Sequence, residues 1–167
     1  MSTLVVAQIG PASSVQDGGR FGAQRYGLTP SGAMDKLSLA AANSLVGNAL
    51  LAAAIEIGPF GATFTAKGGS VRVALSGAPR PADVAKRQVE MNTSVTLSEG
   101  EKLTLGFARG GSFSYLAIAG GISGEPMFNR SEERFSRNAE TESPISYAVF
   151  CLKKIFFNDT ATTEIYT

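Results

Sequence analysis

Five short β-rich runs, Ala62 to Ala66, Val71 to Ser76, Ser94 to Leu97, Lys102 to Phe107 and Phe113 to Ile118, are separated by glycine-containing turns. Val71, Val73 and Leu75 alternate with Arg72, Ala74 and Ser76, and Leu103, Leu105 and Phe107 alternate with Lys102, Thr104 and Gly106. A period of two sets one face of each strand on a core and the other in water. The connections Lys67-Gly68-Gly69, Glu99-Gly100-Glu101 and Arg109-Gly110-Gly111 read as hairpin turns, so the expected fold is mainly β, a sandwich or a barrel of antiparallel hairpins.

The N-terminal part adds one or two helices to this. Leu4 to Ile9 reads as a first strand, ended by Gly10-Pro11 because proline cannot continue a ladder. Asp35 is placed as the N-cap of a helix running to about Val46, with Leu37, Ala40, Ala41 and Leu45 on one apolar face and Gly47 as its C-terminal stop. Ala54 to Ile57 follows as a strand closed by Gly58-Pro59.

A chain of 167 residues with 44% hydrophobic content is expected to form one domain with a core. Charged residues make up 17% and the formal charge is +1, which gives no nucleic-acid footprint. The absence of histidine removes Ser-His-Asp and Cys-His activation and the commonest zinc ligand, so no metal site is expected and acid-base work falls to Asp, Glu, Lys, Tyr or water. The single Cys151 cannot form an internal disulfide, and Gln8 and Gly10 interrupt the short apolar run that a signal peptide would need; a cytoplasmic location without a signal peptide is the expectation. Leu37 to Ile57 is apolar but carries Asn43, Gly47, Asn48 and Glu56, so a helix-turn-strand segment is expected there and no membrane span. None of the glycine pairs leads into the Lys-Ser/Thr of a phosphate loop.

Chemistry-bearing residues concentrate between Ser13 and Glu56. Gln16, Asp17 and Arg20 surround Gly18-Gly19 on a tight loop. Asp17 and Arg20 are candidates for a carboxylate or bicarbonate clamp, or Asp17 caps the loop's own amides and pairs with Arg20; Gln16 donates to a substrate carbonyl or bridges backbone. Ser31, Gly32 and Asp35 lead into a helix N-terminus, which favours an anion or is an ordinary cap. Asn43 and Asn48 hold the helix end in place rather than touching ligand. Glu56, on the face opposite Ile55 and Ile57, is expected to be solvated or ion-paired, the alternative being a catalytic base. Tyr115 belongs to core or site, and Gly120-Gly121 is a bulge or a ligand-facing pair of amides.

Gln16-Asp17-Gly18-Gly19-Arg20, Ser31-Gly32-Ala33-Met34-Asp35, Asn43 with Leu45-Val46-Gly47-Asn48, and Tyr115-Leu116-Ala117 leading into Gly120-Gly121-Ile122 together resemble the biotin-dependent carboxyltransferase family, in unbroken order from about Val5 to Ile122. The resemblance implies a cyclophilin-like β-barrel carrying a helix, incomplete at the C-terminus. It implies one component, of the C type, of an ATP-dependent 5-oxoprolinase that hydrolyses 5-oxoproline to glutamate with A-like and B-like partner subunits. The alternatives are a carboxyltransferase or allophanate hydrolase subunit 2 acting on urea-type amides, and a non-catalytic antagonist that binds a kinase-inhibitor partner. Under the first, Gln16, Asp17 and Arg20 are the expected catalytic residues, and Ser31, Gly32, Asp35, Tyr115, Gly120 and Gly121 line the substrate. ATP is expected to be handled by the complex and biotin, in the alternative, to arrive on a separate carrier. Beyond Gly124 the resemblance fades. Residues 1–125 are therefore expected to be the N-terminal part of a carboxyltransferase-like domain. Residues 126–167 are expected to be a non-homologous tail, a sequencing or assembly artefact or else a natural variable extension; its last segment, Phe156-Phe157-Asn158-Asp159-Thr160-Ala161-Thr162-Thr163-Glu164-Ile165-Tyr166-Thr167, resembles the translation of a sequencing-library adapter. A barrel so shortened exposes sheet edges, and the chain alone is expected to be inactive and poorly soluble.

Overall fold

The computed structural model describes residues 2–22, 24–27 and 29–122, together with the backbone of Ile155–Phe156. The strands are β1 (Thr3–Ile9), β2 (Ser14–Gln16), β3 (Ala54–Ile57), β4 (Ala62–Lys67), β5 (Val71–Gly77), β6 (Ala82–Val84), β7 (Arg87–Gln88), β8 (Thr93–Leu97), β9 (Lys102–Leu105), β10 (Ser114–Ile118) and β11 (Ile155–Phe156). One helix, α1 (Lys36–Val46), and a 3₁₀ turn at Gln24–Tyr26 complete the described elements. The sequence boundary near Pro126, Cys151 and the C-terminal segment lie outside the described residues apart from the β11 backbone.

Two antiparallel sheets result, ordered β11-β1-β4-β9-β6-β7 and β2-β3-β10-β5-β8. Between them Leu4, Val6, Phe64, Val84, Leu103 and Leu105 from the first sheet pack with Ile55, Ile57, Val73, Leu75, Leu97, Leu116 and Ile118 from the second. A second apolar cluster joins Leu39, Ala42 and Val46 of α1 to Ala54, Ala74, Tyr115 and Ala117. The second sheet is thus covered on both faces, by the first sheet and by the helix.

That double covering corrects two expectations. Ala74 and Ser76 are buried rather than solvated, because the helix occupies the face that alternation assigns to water. Leu37 is 81% exposed, while Leu39, Ala42, Asn43 and Val46 form the buried stripe of α1. An alanine-rich helix offers apolar residues on more than one side, and the side that packs is the one carrying Asn43, whose amide finds partners beneath. The helix bounds agree with the sequence: Asp35 caps the start, and Gly47, at φ 78°, receives the C-terminal turn.

The three expected hairpins are also corrected. Lys67-Gly68-Gly69 connects β4 to β5, Glu99-Gly100-Glu101 connects β8 to β9, and Arg109-Gly110-Gly111 lies between β9 and β10, so each carries the chain from one sheet to the other. A glycine turn reverses the chain in either case, and local sequence does not say whether the next strand pairs or crosses over. Phe107 likewise lies past the end of β9, exposed, edge-on to Phe60 with ring centroids 6.1 Å apart.

The tight hairpin that does form joins β6 to β7, pairing Val84 with Arg87. Its two-residue loop, Ala85 and Lys86, sits at φ 48° and 68°, the left-handed conformation that residues with a Cβ disfavour. Lys86→Gly is expected to raise stability by about 0.5–1 kcal/mol, as relief of left-handed strain exceeds the entropy cost of glycine. Chemical denaturation checks this; an unchanged or lower midpoint refutes it.

Candidate functional site

β2 delivers Gln16 to the end of the second sheet, opposite Ala54, and the chain then turns sharply. Asp17 Oδ1 accepts from the Gly19 amide at 2.8 Å, which is the self-capped turn anticipated for an Asp before two glycines. Gln16 Nε2 donates to Ser14 Oγ at 3.0 Å, and Arg20 Nε donates to Thr29 O at 3.0 Å. All three side chains are buried, with 6–9% of their surface exposed.

The loop is sewn to the turn that precedes α1. Ala33 N donates to Asp17 O and Arg20 N donates to Pro30 O, both at 2.9 Å. The two segments meet backbone to backbone at a pair of glycines. A Cβ on Gly19 would lie 2.4 Å from Ser31 O, and one on Gly32 would lie 2.6 Å from Gly19 N. Gln16, Asp17, Arg20, Ser31 and Gly32 are therefore brought together as the sequence suggested, with Ser31 exposed at the surface.

Behind this assembly lies a buried polar pair. Tyr115 is fully buried and its hydroxyl donates to Glu56 Oε2 at 2.6 Å while accepting from Asp35 N at 2.7 Å. Glu56 Oε2 also accepts from Met34 N at 2.8 Å. Glu56 is only 6% exposed and, among the described residues, its bonding partners are a phenol and an amide; the expectation of a solvated or ion-paired carboxylate is corrected. β3 presents Glu56 on the helix face, where water is replaced by the turn before α1. Burial, foremost, and the adjacent Glu56 push the Tyr115 phenol well above its ordinary pKa.

Asp35, the residue after Met34, caps α1 by accepting from Leu37 N at 3.0 Å, Ser38 N at 3.1 Å and Ser38 Oγ at 2.6 Å. The Ser38 hydroxyl bond leads in holding its carboxyl below the ordinary value. A lowered folded-state pKa stabilises the fold above the unfolded carboxyl pKa, and that contribution disappears as pH falls through the lowered value. Asp35→Ala is expected to cost about 1 kcal/mol at neutral pH. Asp35→Asn, an equally good cap, is expected to keep most of the stability while abolishing this part of the acid-side decline; denaturation curves at neutral and acidic pH test both.

Gly120 and Gly121 are held separately. Asn43 Nδ2 donates to Ala52 O at 2.8 Å, Asn48 Nδ2 donates to Asn43 Oδ1 at 3.0 Å and to Ile118 O at 2.8 Å, and Gly120 N donates to Asn48 Oδ1 at 3.1 Å. This amide relay ties the end of α1 to the end of β10, the structural role expected of the two asparagines. β2 and β10 both run antiparallel to β3, so the Asp17 loop and Gly120-Gly121 leave the sheet at the same end.

A buried arginine escaped the sequence reading. Arg80, 5% exposed, donates from Nε to Ser114 Oγ at 2.8 Å, from Nη1 to Phe60 O at 3.0 Å and Gly106 O at 3.4 Å, and from Nη2 to Gly58 O at 2.8 Å and Ile57 O at 3.3 Å. Its five N–H groups meet five neutral oxygens, and burial lowers its pKa from the ordinary value. The signal available was Pro79-Arg80-Pro81, an arginine fixed between two prolines. Among the described residues no group of three or more Asp, Glu, Cys or His could hold a metal ion, and no helix is long and apolar enough to cross a membrane.

Comparison with known proteins supplies the context for this geometry. The family described as carboxyltransferase domain, subdomain A and B, matches residues 26–138. The C subunit of 5-oxoprolinase from Escherichia coli (strain K12) is 37% identical over 126 residues, 74% of this chain and 40% of that protein. Urea amidolyase of Lachancea kluyveri is 36% identical over 118 residues, 70% of this chain and 6% of that protein. The crystal structure of Kluyveromyces lactis urea carboxylase superposes with a TM-score of 0.74 and 31% identity, covering 78% of this chain and 12% of that one. The chain spans less than half the length of these relatives.

Proposed function

The chain belongs to the carboxyltransferase domain family, subdomain A and B, and from that premise we propose that it forms part of a 5-oxoprolinase-type subunit, which with A-like and B-like partners hydrolyses 5-oxoproline to glutamate in the cytoplasm. The similarity to the C subunit of 5-oxoprolinase carries this reading. Opening a lactam requires polarisation of its carbonyl and stabilisation of the charge that develops on the oxygen. Gln16 and Arg20 are the donors proposed for that oxygen, with Asp17 shaping the loop that holds Arg20. Arginine presents a planar set of donors. Ser31, Gly32, Asp35, Gly120 and Gly121 belong to the surrounding wall, whereas Tyr115, expected there, is fully buried and stands behind it; a substrate would meet the exposed Ser31 before the buried Arg20. ATP would be handled by the partner subunits.

A second reading, carried by the urea amidolyase and urea carboxylase relatives, assigns the same donors to the ureido carbonyl of carboxybiotin, delivered by a separate carrier, with a urea-type amide as acceptor. The kinase-inhibitor antagonist finds no support among these relatives. The deciding experiment is reconstitution of the full-length subunit that contains this chain with A-like and B-like subunits. ATP-dependent glutamate release from 5-oxoproline, absent when this subunit is omitted, is the expected result. Carboxylation of urea from a carrier whose biotin has been carboxylated with bicarbonate, ATP and a biotin carboxylase, without glutamate release, would select the second reading instead.

A further inference from the structure

We propose that Glu56 and Tyr115 are positioning residues for the Gln16–Arg20 loop, acting through the turn at residues 30–35; the proposal rests on the reading that this loop serves the reaction. The two side chains are neighbours in register on β3 and β10, adjacent inner strands of the second sheet. One carboxylate oxygen, Glu56 Oε2, takes both the Tyr115 hydroxyl and the Met34 amide, and the same hydroxyl takes the Asp35 amide. Two consecutive amides of the turn are thereby fixed to the sheet. The next amide toward the N-terminus, Ala33, holds Asp17 O, and Pro30 O holds Arg20 N. A continuous path runs from the sheet through the turn to the backbone of Asp17 and Arg20.

Burial gives the path its stiffness. Tyr115 is 0% and Glu56 6% exposed, so water does not readily replace a lost partner, and the Gly19–Gly32 contact leaves no gap into which the turn can relax. An apolar ring would fill the place of Tyr115 as well. The hydroxyl is needed only because the backbone of Met34 and Asp35 must be held at a set distance from β3.

Amide hydrogen exchange on the complete chain tests this in Tyr115→Phe, Glu56→Ala and Glu56→Gln, with global stability measured in parallel. Tyr115→Phe and Glu56→Ala are expected to speed exchange at Ala33, Asp35 and Arg20 by about tenfold while the β5 and β8 amides stay within about twofold. Glu56→Gln is expected to remain close to wild type, because a single amide oxygen can accept both bonds that Oε2 accepts. Acceleration confined to Asp35, uniform acceleration across both sheets, or a Gln variant no better than Ala would overturn the proposal. In the reconstituted enzyme, Tyr115→Phe is expected to lower kcat about tenfold with little change in KM. Local acceleration with unchanged kcat would leave the positioning intact and refute instead the catalytic assignment of the loop.

Discussion

Replacing Arg80 with alanine is expected to lower stability by about 3–5 kcal/mol, the largest effect of any single substitution considered for this chain. The guanidinium is the common donor for the carbonyls of Ile57, Gly58, Phe60 and Gly106 and for Ser114 Oγ. Its removal takes this donor from four carbonyls, those of Ile57 and Gly58 in buried contacts, while Ser114 Oγ keeps its bond to Ala78 O; each buried group left unsatisfied costs about 1–3 kcal/mol before relaxation and water entry recover part of it. The sites joined belong to the end of β3, the crossover after it, the residue following β9 and the start of β10, so both sheets lose a shared anchor. Arg80→Lys is expected to recover less than half of the loss, since an ammonium has three donors and no planar fork. Chemical denaturation at constant m-value measures both. A loss below about 1 kcal/mol for Arg80→Ala would show that water replaces the guanidinium freely.

Substitution at the glycine contact is expected to be next in magnitude. Gly19→Ala and Gly32→Ala should each cost about 2–4 kcal/mol, combining left-handed strain at φ 84° and 95° with overpacking against backbone. The obstructing atoms are Ser31 O and Pro30 O for Gly19, and the amide and Cα of Gly19 itself for Gly32. Neither set can swing aside as a side chain would. The loop and the turn must separate, and with them the bonds from Ala33 to Asp17 and from Arg20 to Pro30. The double variant should lose much less than the sum, because the first alanine already parts the two segments. Additive losses would place the two effects in separate parts of the structure.

Local signals in the sequence located most elements. The Asp35 cap and the Gly47 stop bound α1, and alternation at Leu103 and Leu105 set the inward face of β9. Connectivity was out of reach, because Gly68-Gly69 and Gly110-Gly111 look the same whether a strand returns beside its predecessor or crosses to another sheet. β2, β6 and β7 are too short, at three, three and two residues, for a period to register. Around the site, Gln16, Asp17, Arg20, Ser31 and Gly32 were recognisable as a group because glycines and polar residues cluster there. The partnership of Glu56 with Tyr115 was hidden, since 59 residues separate them and only strand pairing brings them adjacent. Arg80 was hidden for a related reason: four of its five partners are backbone oxygens, which no residue type announces.

Because the glycine connections send the chain from sheet to sheet, the second sheet cannot assemble hairpin by hairpin. β10 stands between β3 and β5, yet it is made after both. At ~5–20 residues per second of synthesis, β3 and β5 spend seconds outside the ribosome with their shared neighbour still unmade. The apolar faces of Ile55, Ile57, Val73 and Leu75 must wait through that interval, and folding afterwards is governed by long-range closure and so is slow. The nascent chain is thus a natural client for chaperones, and its yield in the cell should depend on the rate of translation across residues 58–118 as much as on the stability of the finished fold.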